Sequence, residues 1–204
     1  MIREQRGFTL VEVVIALTIM ATLLVVLFAG LRVGLAAWQR GDEHSRALER
    51  ARSVNQVVTQ TLAGTYPYQA AASGREPARL LFEGEPERVA FATTVPPLPS
   101  VDPVAFTAVT LTLTTEAGGG LAVTQKVLPN EKPFDKELRP IFVDGAVTRI
   151  RFRYLKEAKG EWTDHWDAAL EKALPVSIEV TLTIVQGGHA VEQPPLIVSM
   201  PVTS

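Results

Sequence analysis

The chain opens with a long apolar stretch that contains one charged side chain. From Phe8 to Leu31 there are 24 residues without proline, and Glu12 is the only charged residue among them. At about 1.5 Å per residue a helix of this length rises roughly 36 Å, enough to cross a hydrocarbon core about 30 Å thick. The stretch predicts a membrane-spanning helix over 8–31, and Trp38 beyond it fits the aromatic belt at a membrane surface.

The spacing of apolar residues after this stretch predicts that the helix continues with one apolar face. Apolar or small residues recur at helical spacing, with polar residues between them: Leu48, Ala51, Val54 or Asn55, Val58 and Leu62. We expect an amphipathic continuation over 32–63 that ends near Ala63-Gly64, because Pro67 cannot extend a helix. Gly30, Gly34 and Gly41 suggest local softening or a bend.

From residue 80 the pattern changes to a period of two, which indicates strands. Val109, Leu111 and Leu113 alternate with threonines, and a glycine run at 118–120 suits a turn into a second strand at 121–128. Further strands are expected at 150–154, at 176–184, and over 190–200, the last interrupted by Pro194-Pro195. One apolar face per strand predicts antiparallel sheets covered on one side. The fold class is therefore α+β, with a long helix packed on the sheets of a β-rich domain at 64–204.

The first residues resemble a known processing signal. The run Arg6-Gly7-Phe8-Thr9-Leu10-Val11-Glu12 is similar to the prepilin signal of type IV pilins and of the pseudopilins of type II secretion. The resemblance implies that residues 1–7 are a leader, that a prepilin peptidase cuts between Gly7 and Phe8, and that Phe8 is then N-methylated. It also implies an assembly role for Glu12. Finally, it implies a pilin-like protein held in the inner membrane by a single span, with its C-terminal domain in the periplasm.

The residues alone leave two interpretations of Glu12 open. An acidic residue in the first turn of a helix is favoured by the helix dipole and could simply reach the headgroup region. Alternatively, Glu12 could pair with the amine of Phe8 in a neighbouring subunit, since an α-amine with a pKa of about 8 is largely protonated at neutral pH. The preceding Gly7-Phe8-Thr9-Leu10 favours the second interpretation. Counting arginines on the two sides of the span would place the domain inside the cell, so the periplasmic orientation follows from the resemblance alone.

A second resemblance covers the last third of the chain. A strand ending in Tyr154, a Gly160-Glu161-Trp162 turn, Trp166 and a Leu174-Pro175 strand entry occur in the order found in the J-type minor pseudopilins of the general secretion pathway. This resemblance implies a structural subunit at the tip of the pseudopilus that takes part in filament initiation and in protein secretion across the outer membrane. Its implied partners are the minor pseudopilins of the I and K types, the major pseudopilin and the inner-membrane assembly platform.

Composition argues against several other classes of function. The formal net charge is −2, which gives no basic excess for binding nucleic acid, and the absence of cysteine excludes a disulfide framework. No G-x-S-x-G, phosphate-binding loop or H-E-x-x-H motif occurs, so we expect no enzyme, no cofactor and no metal. His165 lies near Glu161, Asp164 and Asp167, where a calcium or zinc site is conceivable, but a polar turn beside two packed tryptophans is favoured.

Two further features allow a functional or a structural interpretation. Arg149, Arg151 and Arg153 share one strand face, which favours a solvated or partner-facing strand over a nucleic-acid stripe. Trp162 and Trp166 are expected to fill the core. Two rivals to the pseudopilin interpretation remain: a minor pilin of a type IV pilus or DNA-uptake system, and a membrane-anchored periplasmic binding protein or enzyme.

Overall fold

The computed structural model describes residues 9–71, 78–98, 106–115 and 118–200. Contacts divide the chain into two units, Met1–Arg46 and Ala47–Ser204. The two helices are α1 (Leu10–Ala63) and α2 (Ala168–Glu171). The strands are β1 (Gln69–Ala70), β2 (Arg79–Leu80), β3 (Phe82–Gly84), β4 (Arg88–Thr93), β5 (Thr107–Thr114), β6 (Gly120–Val127), β7 (Phe142–Asp144), β8 (Val147–Leu155), β9 (Trp162–Thr163), β10 (Trp166–Asp167), β11 (Ser177–Gln186), β12 (His189–Glu192) and β13 (Leu196–Ser199).

At the end of helix α1 the last carbonyls accept hydrogen bonds from the residues that follow the helix. The Gly64 N–H donates to the Gln60 carbonyl at 3.1 Å, and the Thr65 N–H donates to the Leu62 carbonyl at 3.0 Å. The Thr65 hydroxyl donates to the same Leu62 oxygen. These bonds satisfy carbonyls that a helix end leaves open. The helical hydrogen bonding is uninterrupted at Gly30, Gly34 and Gly41, so none of the three glycines ends or divides the helix.

The larger sheet has six antiparallel strands in the order β10-β3-β4-β5-β6-β7. Its centre is the hairpin that the alternating threonines predicted, with Leu111 opposite Val123 and Thr114 opposite Gly120. Gly120 has a positive φ of 126°, and a side chain there would collide with the carbonyl of Asp144 on the neighbouring strand β7. The close approach of β6 and β7 therefore requires glycine at this position.

The five-stranded sheet has β11 at its centre and antiparallel neighbours on both sides. Strand β8 pairs along most of the length of β11, while β12 and β13 share its other edge, separated by Pro194-Pro195. Strand β9 extends the sheet beyond β8. The two sheets are joined directly, because the Phe152 N–H on β8 donates to the carbonyl of Pro86 in the β3–β4 turn at 2.8 Å.

The main core lies between the second half of α1 and the inner faces of both sheets. The helix contributes Ala51, Val54, Val58 and Leu62, all buried. Leu48 was predicted to belong to this stripe and does not, because its side chain is 40% exposed one turn before the buried residues begin. The sheets contribute chiefly Phe82, Phe91, Leu111, Ile150, Phe152, Tyr154, Ile178, Val180, Leu182 and Ile184. The predicted α+β, pilin-like fold is confirmed.

The prediction that each sheet is covered on one side only was wrong for the six-stranded sheet. On the face away from α1, Ala92 and Ala108 are buried together with Leu81 and Leu128 in a second apolar cluster. Partly buried aromatic residues from the connecting segments pack against that cluster: Tyr68, Phe106 and Phe134. The sequence pattern concealed this cluster because its strand residues are alanines, which are small enough to lie beneath a covering loop.

Candidate assembly site

The site predicted at the start of the chain is partly described by the structure. Gly7 and Phe8 lie outside the described residues. Glu12 lies in the first turn of α1 and is exposed. Its backbone N–H donates to the Thr9 carbonyl at 3.1 Å and to the Thr9 hydroxyl at 3.3 Å, so Thr9 caps the helix. The cap fixes Glu12 in the first turn of the helix, where its carboxylate has no partner among the described residues.

The helix that carries Glu12 is long and apolar enough to span a membrane. The candidate span runs from Leu10 to Leu35, 26 residues, and none of its most apolar window is buried inside the protein. Two hydroxyl groups within the span are hydrogen-bonded to the helix backbone. The Thr18 hydroxyl donates to the Val14 carbonyl and the Thr22 hydroxyl donates to the Thr18 carbonyl, both at 2.8 Å. Such bonds remove the cost of an unpaired hydroxyl in lipid. Glu12 is thus the only ionisable group before Arg32 in this helix.

An ion pair that the sequence did not predict joins α1 to the six-stranded sheet. The Arg50 guanidinium binds the Asp144 carboxylate through Nε at 3.0 and 3.1 Å and through Nη2 at 2.9 Å. Asp144 Oδ1 also accepts the Ala146 N–H at 2.9 Å. The Asp144 side chain is 4% exposed, whereas that of Arg50 is 56% exposed. The two residues lie 94 positions apart in the chain, and no local motif marks them as partners.

The three arginines of β8 lie on one face, as predicted, and two of them are held by carboxylates. Arg151 Nη2 contacts both oxygens of Asp164 at 3.1 and 3.2 Å. Arg153 Nη1 donates to Glu179 at 3.3 Å, and its guanidinium lies 6.0 Å from the centre of the Trp162 ring. In the part of the chain that the structure describes, Arg149 makes no ion pair or side-chain hydrogen bond.

The polar residues around His165 are engaged in structural contacts. Asp164 binds Arg151, and Asp167 caps α2 by accepting the Ala169 N–H at 2.8 Å. Among the described residues, no group of three or more histidine, aspartate and glutamate side chains is placed to hold a metal ion. Trp166 is buried and donates from Nε1 to the Ala173 carbonyl at 3.0 Å, as expected of a core residue, whereas Trp162 is only half-buried.

The aromatic residue that ends β8 is locked into the core. The Tyr154 hydroxyl donates to the Glu85 carbonyl at 3.0 Å, and its ring lies so close to Gly84 that any side chain there would collide with it. Burial, with the nearby Glu85 carboxylate, raises the pKa of Tyr154 well above its usual range. Tyr154 therefore stays neutral and structural at physiological pH.

An open groove runs along the β10 edge of the larger sheet beside α2. Its lining includes Glu83, Phe134, His165, Asp167 and Leu170. Glu83 is paired with Arg88 at 3.2 Å, and Asp167 is the α2 cap described above. The groove is open, and these two carboxylates are therefore engaged in structural contacts.

Comparisons with known proteins agree with the resemblances drawn from the sequence. Residues 2–28 match the family described as the prokaryotic N-terminal methylation motif. The whole chain is similar to the type II secretion system protein J of Xanthomonas campestris pv. campestris, with 28% identity over 209 residues that cover 96% of this chain and 92% of that protein. The methylation motif, the exposed apolar helix, the pilin-like α+β fold and this end-to-end similarity all agree with the resemblance to the J-type pseudopilins of type II secretion.

Proposed function

We propose that the protein is a minor pseudopilin at the tip of the type II secretion pseudopilus, where it takes part in filament initiation and in protein secretion across the outer membrane. The observation that carries the proposal is the similarity to a protein J along nearly the whole chain, membrane helix and sheet domain included. The role is one of assembly and not of catalysis. It uses the helix for anchoring and packing and the sheets for contacts with other subunits.

Processing at the start of the chain supplies the first step. A prepilin peptidase would cut between Gly7 and Phe8 and leave Phe8 as the new, N-methylated terminus, as the match to the methylation motif supports. In the sequence the new amine would stand four residues before Glu12, and Thr9, which caps the helix, lies between them. The leader would face the cytoplasm and the sheet domain the periplasm, with a single span in the inner membrane.

Glu12 would then guide the docking of the helix among its neighbours. A carboxylate costs about 2.5–3.5 kcal/mol at mid-membrane and less near the end of a span, where Glu12 lies, but a partner of opposite charge is favourable in either position. Within the described residues Glu12 has no side-chain partner in its own chain. The Phe8 amine of an adjacent subunit is a partner of opposite charge. The subunits concerned are the I- and K-type minor pseudopilins and the major pseudopilin, assembled on the inner-membrane platform.

The experiment that tests this role compares two glutamates of the same helix. Glu12→Gln removes the charge in the span and keeps the size of the side chain, while Glu49→Gln makes the same change at an exposed position outside the span. Secretion of a reporter exoprotein and crosslinking to other pseudopilins are measured in cells with matched protein levels. We expect a partial loss of both for Glu12→Gln and none for Glu49→Gln. Normal secretion and crosslinking by Glu12→Gln would refute the assembly role.

The same cells separate the secretion role from its nearest rival. A minor pilin of a type IV pilus would carry the same methylation motif, because residues 2–28 lie in the part that pilins and pseudopilins share. Deletion of the gene should abolish secretion of the reporter while leaving twitching and DNA uptake intact. The opposite result would assign the protein to a pilus.

Mass spectrometry of the membrane-purified protein should show a chain that starts at methylated Phe8.

A further inference from the structure

The outer faces of the two sheets differ in what covers them. On the six-stranded sheet, connecting segments bury outer-face residues such as Ala92 and Ala108 to 1% exposure or less. On the five-stranded sheet the corresponding face is largely accessible, and we call it the arginine face. It is formed by Arg149, Arg151 and Arg153 of β8, Glu179 and Thr183 of β11, and Ile197 of β13.

Most of the arginine face is ordered before any partner arrives. Arg151 is fixed by Asp164, and Arg153 is fixed between Glu179 and the Trp162 ring. Arginine and tryptophan are residue types that concentrate binding energy in protein interfaces. Side chains that are already held lose less conformational entropy on binding, so a pre-ordered face is well suited to docking.

Arg149 and Ile197 are the two members of this face whose interactions are incomplete. Arg149 is exposed and, within the described residues, lacks a carboxylate partner. Ile197 is 62% exposed, the highest value for a large apolar residue on the five-stranded sheet. Arg149 pairs in register with Thr183, and Ile197 pairs with Glu179 on the other side of β11. Strand spacing of about 4.8 Å and a rise of about 3.3 Å per residue place the two roughly 16 Å apart, which fits inside one standard interface.

The pattern of charge on the arginine face favours a protein over a polyanion. Three carboxylates, Asp164, Glu179 and Glu192, lie among the arginines or opposite Thr183 at the sheet edge. Nucleic acid or an anionic membrane presents negative charge continuously and would be repelled by these groups. A folded protein can place one carboxylate over Arg149 and avoid the others, which is how complementary charges select a partner.

We propose that the arginine face docks a second protein subunit of the secretion assembly, whose carboxylate pairs with Arg149 and whose apolar surface covers Ile197. This inference rests on the proposed function, because it takes the partner from the same assembly. It adds the surface through which the sheet domain joins that assembly and the chemistry of the partner's side: an aspartate or glutamate beside an apolar patch.

The experiment uses the absence of cysteine from the natural chain. Thr183→Cys, placed beside Arg149, gives the full-length protein a single thiol that can carry a benzophenone crosslinker in intact cells. A parallel Leu17→Cys in the membrane helix reports whether the protein has joined its assembly. We expect the Thr183 adduct to contain a secretion-system subunit, crosslinked through a segment that includes aspartate or glutamate.

Charge variants of Arg149 decide whether the adduct depends on the arginine face. Arg149→Glu should reduce the Thr183 adduct about tenfold, because like charges would meet across the interface, while Arg149→Lys should keep most of it. The matched control is Arg139→Glu, an exposed arginine outside this face, which should leave the adduct unchanged. Equal loss in both reversals, an adduct to lipid or nucleic acid, or no adduct would overturn the proposal. If Leu17 still crosslinks to secretion subunits, only the docking surface has failed; if it does not, the proposed function has failed.

Discussion

The two ends of helix α1 show how one secondary structure serves two different environments. From Leu10 to Leu35 the helix has apolar residues all round its circumference and two charged ones, Glu12 and Arg32, and none of its most apolar window is buried within the protein. From Ala51 to Leu62 only one stripe is apolar, and that stripe is buried under the sheets. A helix that is apolar all round needs lipid or neighbouring helices, whereas an amphipathic helix needs a single core.

The comparison assigns different effects to the two halves of α1: the buried half should affect the stability of the sheet domain, and the exposed half should affect assembly. Substitutions in the buried stripe should act on the folding of the sheet domain and leave insertion into the membrane unchanged. Substitutions in the exposed apolar half should leave the folding of that domain unchanged and act only on contacts outside the chain. The predictions below test this separation, from the largest expected effect to the smallest.

The strongest test pairs two leucines of α1. Leu62 is fully buried in the main core, and Leu23 is 65% exposed. Leu62→Ala should lower the free energy of unfolding of the sheet domain by about 2–5 kcal/mol, because it removes buried methyl groups and leaves a cavity. Leu23→Ala should change it by less than about 0.5 kcal/mol. Denaturant titration of the full-length protein in detergent, followed by tryptophan fluorescence, measures both values. A similar loss in the two variants would show that the halves are not energetically separate.

The sequence was sufficient for those parts of the fold that depend on local periodicity. The apolar run, the helical stripe ending at Leu62 and the alternation at Val109–Leu113 each predicted an element that the structure contains. The prediction that Leu48 is buried was wrong, because the spacing of apolar residues along a helix does not show where the sheet beneath it ends. The second apolar cluster was missed because Ala92 and Ala108 give no strong alternation, and the segments that cover them are brought there by tertiary structure.

The candidate sites were predictable only where a motif is contiguous in the chain. Glu12 could be singled out because the residues before it form a continuous signal. The Arg50–Asp144 pair could not, since its members lie 94 residues apart and each is an ordinary charged residue in its local context. Two of the three β8 arginines are bound by carboxylates, and this likewise could not be predicted. The carboxylates belong to Asp164 and Glu179, which come from other strands and turns.

The second prediction concerns that ion pair, which ties the packed half of the helix to the sheet. Arg50→Met keeps the aliphatic stem but leaves the buried Asp144 carboxylate without its cation, so the domain should lose about 1–3 kcal/mol. Arg52→Met makes the same change at an exposed position of the same helix and should cost less than about 0.5 kcal/mol. Arg50→Lys should fall between them, because lysine keeps the charge and loses the two-pronged geometry. Thermal unfolding of the three variants ranks them, and equal midpoints would mean that the pair adds nothing.

The smallest expected effect has the opposite sign and comes from Asn55, a polar residue beside the buried stripe. Asn55 is half-buried, and within the described part of the chain its side-chain oxygen is buried without a hydrogen-bond partner. An unpaired buried acceptor carries a desolvation penalty, and asparagine is also a weaker helix former than leucine. Asn55→Leu should therefore stabilise the sheet domain by about 1 kcal/mol.

A control on the same helix separates the two contributions to that gain. Ser53→Ala, at an exposed position, improves helix propensity by about 0.5 kcal/mol and changes no buried group. The part of the Asn55→Leu gain that exceeds the Ser53→Ala gain measures the cost of the unpaired oxygen. If Asn55→Leu instead destabilises the domain, the oxygen has a partner such as an ordered water, and the packed half of the helix holds a polar contact within its apolar stripe. A gain larger than that of Ser53→Ala would show that this half of the helix is stabilised by apolar contact with the sheets.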